Sequence, residues 1–341
     1  MSSSFTISRD PSVSPPALAG ATVALGNFDG LHRGHQHLIA LARNAALTSG
    51  RPSAVLTFEP HPRTWFNPQN PVFRLTPEPV KLALLEQLGL NGAFVQSFGE
   101  ALAALSPEEF VRLLLVERLG VGEVVAGHDF HFGRGRSGNP ERLAALCAAA
   151  GIPCTVVPAV SEAGQNISSS LIRRFLEEGR AADANHLLGY RWFVRGVVQH
   201  GDKRGRGLGY PTANLRLTDD CRLRHGIYAV RVRVDDRIHD GVASFGRRPT
   251  FDDGAPLLEA HLFAFADNLY GSTIDVEFVG WIRGEERFES VEALIVRMDL
   301  DSREARDLLR DSSAERSFIE ALAAASVQVP GAALFPRGGS L

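Results

Sequence analysis

Two folds in tandem are predicted for these 341 residues: an α/β half built on a parallel sheet, then an antiparallel β half closed by a helix. From Thr22 to about Gly189, short β-branched runs alternate with helical stretches, the pattern of a parallel sheet covered on both faces. After Tyr190 the rhythm changes to period-two alternation split by Gly, Asp and Pro, which suits an antiparallel barrel or sandwich. Length agrees, since a chain of 341 residues exceeds what one hydrophobic core usually supports.

The strands expected in the first half are Val23–Leu25, Ala54–Phe58, Ala93–Gln96, Glu123–Ala126 and Cys154–Val157, with helices between them. One helix start is explicit: Ser106 caps, Pro107 takes the first helical position and Glu109 completes a capping box. In the second half, "WFVRGVVQHG", "GIYAVRVRVDDRIHDGVASFG", "LLEAHLFAF" and "STIDVEFVGWIR" read as strands. A helix over Val291–Leu309 and a further helical stretch near Ala314–Ala325 follow. The expected division is 1–186, 187–325, and a loose tail over 326–341.

Composition narrows the function classes. Apolar content of 44%, charged content of 22% and a net charge of −3 describe a globular protein without the basic footprint of a nucleic-acid or membrane-surface binder. Cys147, Cys154 and Cys221 are odd in number and lack metal-like spacing, so reduced thiols in a cytoplasmic protein are expected. "MSSSFTISRDPSVSPP" has no apolar core of a signal peptide. The longest uncharged stretch, Leu143–Val160, is broken by Gly151, Pro153 and Pro158 and is expected to turn rather than span a membrane. All but two of the 36 basic residues are arginine, and neither lysine, Lys81 or Lys203, sits in a Walker A loop.

The first chemical constellation is "GNFDGLHRGH", residues 26–35, at the end of an apolar run and the start of a helical one. Gly26, Gly30 and Gly34 let the backbone approach a ligand, and a helix starting near Gly34 or His35 aims free N–H groups and a positive dipole end at it. His32 and His35, three apart, share one side of that first turn and can donate to phosphate oxygens, which suits a triphosphate under attack. Gly133–Gly138 also fits GxGxxG, but "HDFHF" separates it from the strand and no acidic residue ends the next one. A surface loop is expected there.

The second constellation is "GDKRGRGLGYPTANL", residues 201–215. Gly205, Gly207 and Gly209 let a loop fold over phosphates, and Pro211 fixes the backbone ahead of Thr212 and Asn214. Two apart, those residues face the same way if extended, as coordination of Mg²⁺ by short oxygen ligands requires.

Both constellations resemble known signatures. "GNFDGLHRGH" is similar to the HxGH signature of nucleotidyltransferases, in the FDG form of bacterial bifunctional riboflavin kinase/FAD synthetases. "TFEPHPR", "GHDFHFGRGRSGN" and "SSSLIRRFLEEGR" follow in the family's order, and "GYPTAN" resembles the riboflavin kinase motif. "HGIYAV", "GRRPTF", "LEAHLF", "LYG" and "IRGEERF" then follow, so the resemblance spans about residues 20–310. It implies a Rossmann-like nucleotidyltransferase domain and a riboflavin kinase barrel with a closing helix.

The resemblance also implies roles. His32 and His35 would act in adenylyl transfer; Gly26, Phe28, Asp29, Gly30, Gly34, Ser168, Ser169, Ser170 and Arg173 would hold its nucleotide. Phe58, Pro60, His61, Asp129, Phe130, Phe132 and Arg297 would meet flavin. Gly205, Gly207 and Gly209 would hold the kinase nucleotide, Thr212 and Asn214 the Mg²⁺, and Glu259 would take the ribityl proton. Ser170 stands where the family often has threonine, and Ser244-Phe245 where it usually has an asparagine-isoleucine pair. The expected chemistry is phosphorylation of riboflavin by ATP to FMN, then AMP transfer from ATP to FMN, giving FAD and pyrophosphate. Its partners are small molecules, with no nucleic acid or membrane. The alternatives are adenylylation of another phosphate monoester and a non-catalytic flavin- or nucleotide-binding module.

Overall fold

The computed structural model describes residues 5–162, 164–201, 209–235, 237–247, 256–311 and 317–318. The described residues form two compact units: one of residues up to Val72 and Thr76–Ser168, the other of Phe73–Leu75 and residues from Ser169 onward.

The first unit carries a six-stranded parallel sheet in the order β1-β4-β3-β2-β5-β6. Its strands are β1 (Thr6–Arg9), β2 (Thr22–Leu25), β3 (Ser53–Glu59), β4 (Gly92–Ser97), β5 (Glu123–Gly127) and β6 (Cys154–Val157). The helices of this unit are α1 (Arg33–Ser49), α2 (Pro62–Phe66), α3 (Glu78–Gln87), α4 (Glu100–Ala103), α5 (Pro107–Glu109) and α6 (Pro140–Ala149). A small hairpin, β7 (Ser161–Glu162) and β8 (Gln165–Asn166), precedes the serine run.

All five strands expected here are present, β2 and most of β3 being buried as central parallel strands require. The sixth, β1, has no counterpart in the sequence reading. It is four residues long, lies at the sheet edge and pairs Thr6 with Gly92, where an added Cβ would sit 2.3 Å from the Thr6 carbonyl. Ser106 and Glu109 form the expected capping box at 3.1 and 2.8 Å. The helix then widens over Phe110–Arg118, with Leu119 N donating to Leu114 O five residues back. Phe110 and Leu114 pack with Leu25, Leu56 and Phe94 in the sheet's core.

The second unit carries six antiparallel strands in the order β10-β13-β12-β11-β14-β9. These are β9 (Phe193–Val197), β10 (Ala213–Arg216), β11 (Gly226–Val234), β12 (Arg237–Arg247), β13 (Pro256–Leu262) and β14 (Thr273–Arg283). Past the end of β9, Gln199 N donates to Asn214 O at 2.8 Å, which draws the two edges together into a barrel. Tyr228, Phe245, Leu258 and Phe278 fill it. The expected C-terminal helix is α9 (Val291–Asp311), whose Ala305 and Leu309 pack on Ala229, Val242 and Val279. The helical stretch expected near Ala314–Ala325 falls outside the described residues except for Ser317 and Phe318, and the tail lies wholly outside them.

Two helices pack with this unit, α7 (Ser169–Glu177) and α8 (Ala181–Leu188). Asn185 of α8 is buried; its amide donates to Phe278 O at 2.8 Å and its Oδ1 accepts from Trp192 N at 2.7 Å. Arg173 Nε donates to Phe73 O at 2.6 Å and Trp192 Nε1 to Leu75 O at 2.9 Å.

Candidate active sites

In the parallel sheet the chain runs from β2 to β3 on one side and to β5 on the other, so the order reverses at β2. Ligands of open α/β sheets collect beyond the C-terminal strand ends at such a reversal. The turn after β2 is residues 26–32, and it is tightly constrained. Phe28, Gly30 and Leu31 all have positive φ, at 52°, 82° and 39°. Asp29, 1% exposed, accepts from Thr76 N at 2.9 Å and Thr76 Oγ1 at 3.1 Å, while Gly30 N donates to Thr76 Oγ1 at 2.8 Å. The Asp29 carboxylate therefore anchors the turn from within.

Helix α1 begins at Arg33 with His32 as its cap, one position ahead of the expected start. His32 Nδ1 accepts from His35 N at 3.3 Å, so in the neutral ring the proton sits on Nε2. The two imidazoles stack, centroids 3.7 Å apart and planes 17° apart, and Phe28 meets His35 edge-on at 5.3 Å. Glycine at two positions makes this packing feasible: an added Cβ would lie 3.1 Å from the Phe28 ring at Gly26 and 3.2 Å from the His32 ring at Gly34. Arg33 pairs with Glu162 of the β7–β8 hairpin at 2.5 Å.

At the end of β3, Phe58 is buried, Glu59-Pro60 is a cis peptide, and His61 caps α2 by accepting from Arg63 N at 3.2 Å. Trp65, Phe66 and Phe98 contact one another edge to face here, and Phe66 is 65% exposed. Phe66 is not among the expected site residues; its signal in the sequence is the aromatic pair Trp65-Phe66, one residue beyond "TFEPHPR". At the end of β5, Asp129 is exposed, Phe130 is half-buried and Phe132 is buried against Phe110. An added Cβ at Gly138 would lie 2.7 Å from the Phe132 ring, so the last glycine of the GxGxxG loop serves aromatic packing.

Ser168 belongs to the first unit, and Ser169, Ser170 and Arg173 lie on α7 of the second. The serine run does stand at a helix start, as expected.

In the barrel, the burial of β13 alternates strictly: Leu258, Ala260 and Leu262 point inward, Glu259 and His261 outward. Across β10 and β13, Asn214 stands directly opposite Glu259, and across β12 and β13, Ser244 does the same. Opposed residues share a face of the sheet, so Asn214, Glu259 and Ser244 form one row. Asn214 is buried, its amide donates to Thr212 O at 3.2 Å, and an added Cβ at Gly201 would lie 2.7 Å from that amide nitrogen. Phe245 fills the barrel interior, so the departure at Ser244-Phe245 splits between the two faces. Gly205 and Gly207 lie outside the described residues; Gly209 has φ +85°.

A cavity of about 410 Å³ adjoins this face, with Gly209, Tyr210 and His261 on one side and Asp299, Ser302 and Arg303 of α9 on the other. Tyr210 Oη donates to Asp299, and burial together with that carboxylate pushes the phenol above its ordinary range. His261 Nδ1 lies 2.9 Å from Pro211 O. Arg297, one of the residues expected at flavin, pairs along its own helix with Asp301 at 3.1 Å and Glu304 at 3.5 Å.

An HxGH turn at the switch of a parallel sheet and a row of amide, carboxylate and hydroxyl side chains at the PTAN segment of a barrel point to a nucleotidyltransferase joined to a small-molecule kinase. An FAD synthetase family model matches residues 14–171, and a riboflavin kinase family model matches residues 188–309. The Bacillus subtilis bifunctional riboflavin kinase/FMN adenylyltransferase is 38% identical over 293 residues, covering 84% of this chain and 92% of that protein. The Listeria monocytogenes protein of the same description is 39% identical over 287 residues, covering 83% and 91%. A crystal structure from Streptococcus pneumoniae, described as a macrolide-efflux protein, superposes with a TM-score of 0.78 at 30% identity, covering 88% of this chain and 98% of that one. Among the described residues, no helix here is long and apolar enough to cross a membrane.

The chain belongs to the bifunctional riboflavin kinase/FMN adenylyltransferase family. It phosphorylates riboflavin to FMN and adenylylates FMN to FAD, with ATP as donor in both steps.

Proposed function

We propose that the two reactions use the residues as follows. In the barrel, Glu259 takes the proton of the riboflavin ribityl hydroxyl as its oxygen attacks the γ-phosphorus of ATP and ADP leaves. The observation that carries this is the register of Asn214 opposite Glu259, 45 residues away in sequence, which puts an amide oxygen ligand beside a carboxylate base. Asn214 and Thr212 offer short neutral oxygen donors of the kind Mg²⁺ accepts when phosphates and water complete its shell. When bound, Mg²⁺ neutralises charge on the phosphates. Glu259, Asn214 and the loop through Gly205, Gly207 and Gly209 orient acceptor and donor.

In the first unit, a phosphate oxygen of FMN attacks the α-phosphorus of ATP and pyrophosphate leaves. His32, with Nδ1 committed to His35 N, offers Nε2–H to the phosphates. His35 lies parallel to it, and Gly26, Gly30 and Gly34 keep the turn open to them. Asp29 and Phe28 serve that nucleotide by holding the turn in its positive-φ conformation. Ser168, Ser169, Ser170 and Arg173 are assigned to the triphosphate on their sequence signature. Phe58, Pro60, His61, Asp129, Phe130 and Phe132 are assigned to FMN, and exposed Phe66 adds a stacking face. Arg297 and the cavity along α9 are assigned to riboflavin.

The division into 1–186 and 187–325 follows the two signatures and falls in the gap between the two family matches, whereas the compact units divide at Ser168/Ser169, so α7 and α8 lie on the adenylyltransferase side by signature and on the barrel side by packing. A cytoplasmic location, small-molecule partners and independence of nucleic acid and membrane belong to the same reading, since both reactions consume ATP. The test is incubation with riboflavin, Mg²⁺ and ATP, then chromatography of the flavins. Glu259→Gln should stop at riboflavin yet convert supplied FMN to FAD, and His32→Ala should stop at FMN. FAD formation at the normal rate in His32→Ala, or FMN formation at the normal rate in Glu259→Gln, removes that residue from its role.

A further inference from the structure

Lysine is nearly absent from this chain: all but two of its 36 basic residues are arginine. Lys203 lies outside the described residues; Lys81, on α3, is buried with 1% of its surface exposed. Its Nζ donates to Glu59 Oε1 at 2.7 Å, Thr57 Oγ1 at 2.9 Å and Asn27 O at 3.3 Å. Thr57 Oγ1 in turn donates to the same Asn27 carbonyl at 3.1 Å. These acceptors come from two segments at the C-terminal edge of the sheet. Asn27 lies in the turn that carries the histidine pair, and Thr57 and Glu59 end β3 immediately before Pro60 and His61.

We infer that Lys81 is a positioning residue for adenylyl transfer, fixing the phosphate-binding turn after β2 against the flavin-facing turn after β3. The inference rests on the site assignment proposed above. An ammonium is compact and directs three donors tetrahedrally, which matches three acceptors converging in a closed space. A guanidinium is planar and larger and cannot reproduce that arrangement. A chain that uses arginine almost everywhere else therefore has a physical reason for lysine here. In-line attack needs the acceptor phosphate and the α-phosphorus in register, and a shift of about 1 Å between their two holders costs roughly 10²-fold in rate. Lys81 sits beneath both holders. Its exposure of 1% and these bonds make it a support rather than a substrate contact.

The test uses full-length Lys81→Met, Lys81→Arg and the double variant Lys81→Met/Glu59→Gln, with His32→Ala alongside. Lys81→Met should lower kcat for FMN adenylylation about 10²-fold. Its affinity for FMN, followed by quenching of flavin fluorescence, should change less than about threefold, because the loss belongs to alignment. Riboflavin kinase activity in the same molecules should be normal. Lys81→Arg should not recover kcat. The double variant removes the charge of the half-buried carboxylate that Lys81→Met deprives of the ammonium, so it should regain most of the melting temperature lost in Lys81→Met while kcat stays low. Recovery of kcat together with melting temperature, or a wild-type kcat in Lys81→Arg, overturns the inference and leaves Lys81 a stability element. An unimpaired His32→Ala instead removes the site assignment itself, and a low kcat there beside a normal one in Lys81→Met removes only the role of Lys81.

Discussion

The two units solve the same problem, holding a triphosphate beside an acceptor oxygen, with opposite parts of a sheet. In the parallel sheet the proposed site lies beyond the strand ends, in turns whose shape is set by positive-φ residues, buried anchors such as Asp29–Thr76, and glycines against aromatic rings. In the barrel the proposed site lies on a strand face, where Ser244, Glu259 and Asn214 are aligned by the hydrogen-bond ladder. A strand-end site can be rearranged by moving loops, so it needs internal supports. A strand-face site inherits its spacing from the pleat and needs few. Lys81 is the kind of support the first site requires. In the second, the nearest parallel is the contact of His261 with the Pro211 carbonyl.

The sharpest way to break this comparison is at the strand face. Glu259→Gln preserves size and ladder and removes only proton acceptance, so kinase kcat should fall roughly 10²–10⁴-fold with riboflavin and ATP binding little changed. Steady-state rates of FMN formation check it, and a loss spread equally into binding would show that the row is not rigid. At the strand ends, His32→Ala and His35→Ala should each lower adenylylation about 10²–10³-fold, each removing one donor from developing phosphate charge. Equal loss of kinase activity in these variants would mean that the two sites are not separate. Next, Asn214→Ala should raise the Mg²⁺ needed for half-maximal kinase activity by roughly tenfold or more. A titration of the cation against initial rate reads this directly, and adenylylation should keep its wild-type curve.

The smallest expected effect concerns where the barrel unit begins. A fragment of residues 187–341 should fold less stably than one of residues 169–341. It lacks Asn185, whose side chain satisfies Trp192 N and Phe278 O, and each buried group left unpaired costs about 1–3 kcal/mol. Denaturation midpoints of the two fragments measure the difference, and both lack the carbonyls of Phe73 and Leu75 that accept from Arg173 and Trp192. Equal midpoints would make α7 and α8 dispensable to the barrel.

Much of this was legible before any coordinate. Five of the six strands announced themselves as short apolar and β-branched runs between helical stretches, edge strand β6 among them, and Ser106-Pro107-Glu108-Glu109 because caps are local hydrogen bonds. Strand β1 was not legible: "TISR" is short and half exposed, and only its partner Gly92, shaped for it, marks it as a strand. The histidine pair was legible as a site but not its detail. The capping bond that engages His32 Nδ1 depends on α1 starting at Arg33. The motif marks Phe132 as an expected flavin contact, and only the fold shows that its ring also packs beside Phe110, 22 residues away.

What the amino-acid order determined by itself is local: where glycine permits a turn, where a helix starts, which runs pleat, and which signatures stand in which sequence. Tertiary structure alone decided which distant residues meet. It set Asn214 against Glu259, buried Lys81 under two turns, and gave α7 and α8 to the barrel unit. The reason is physical. Periodicity assigns a side chain to a face, but a slip of one residue in strand pairing moves every neighbour across the sheet, and only the packed core selects among registers.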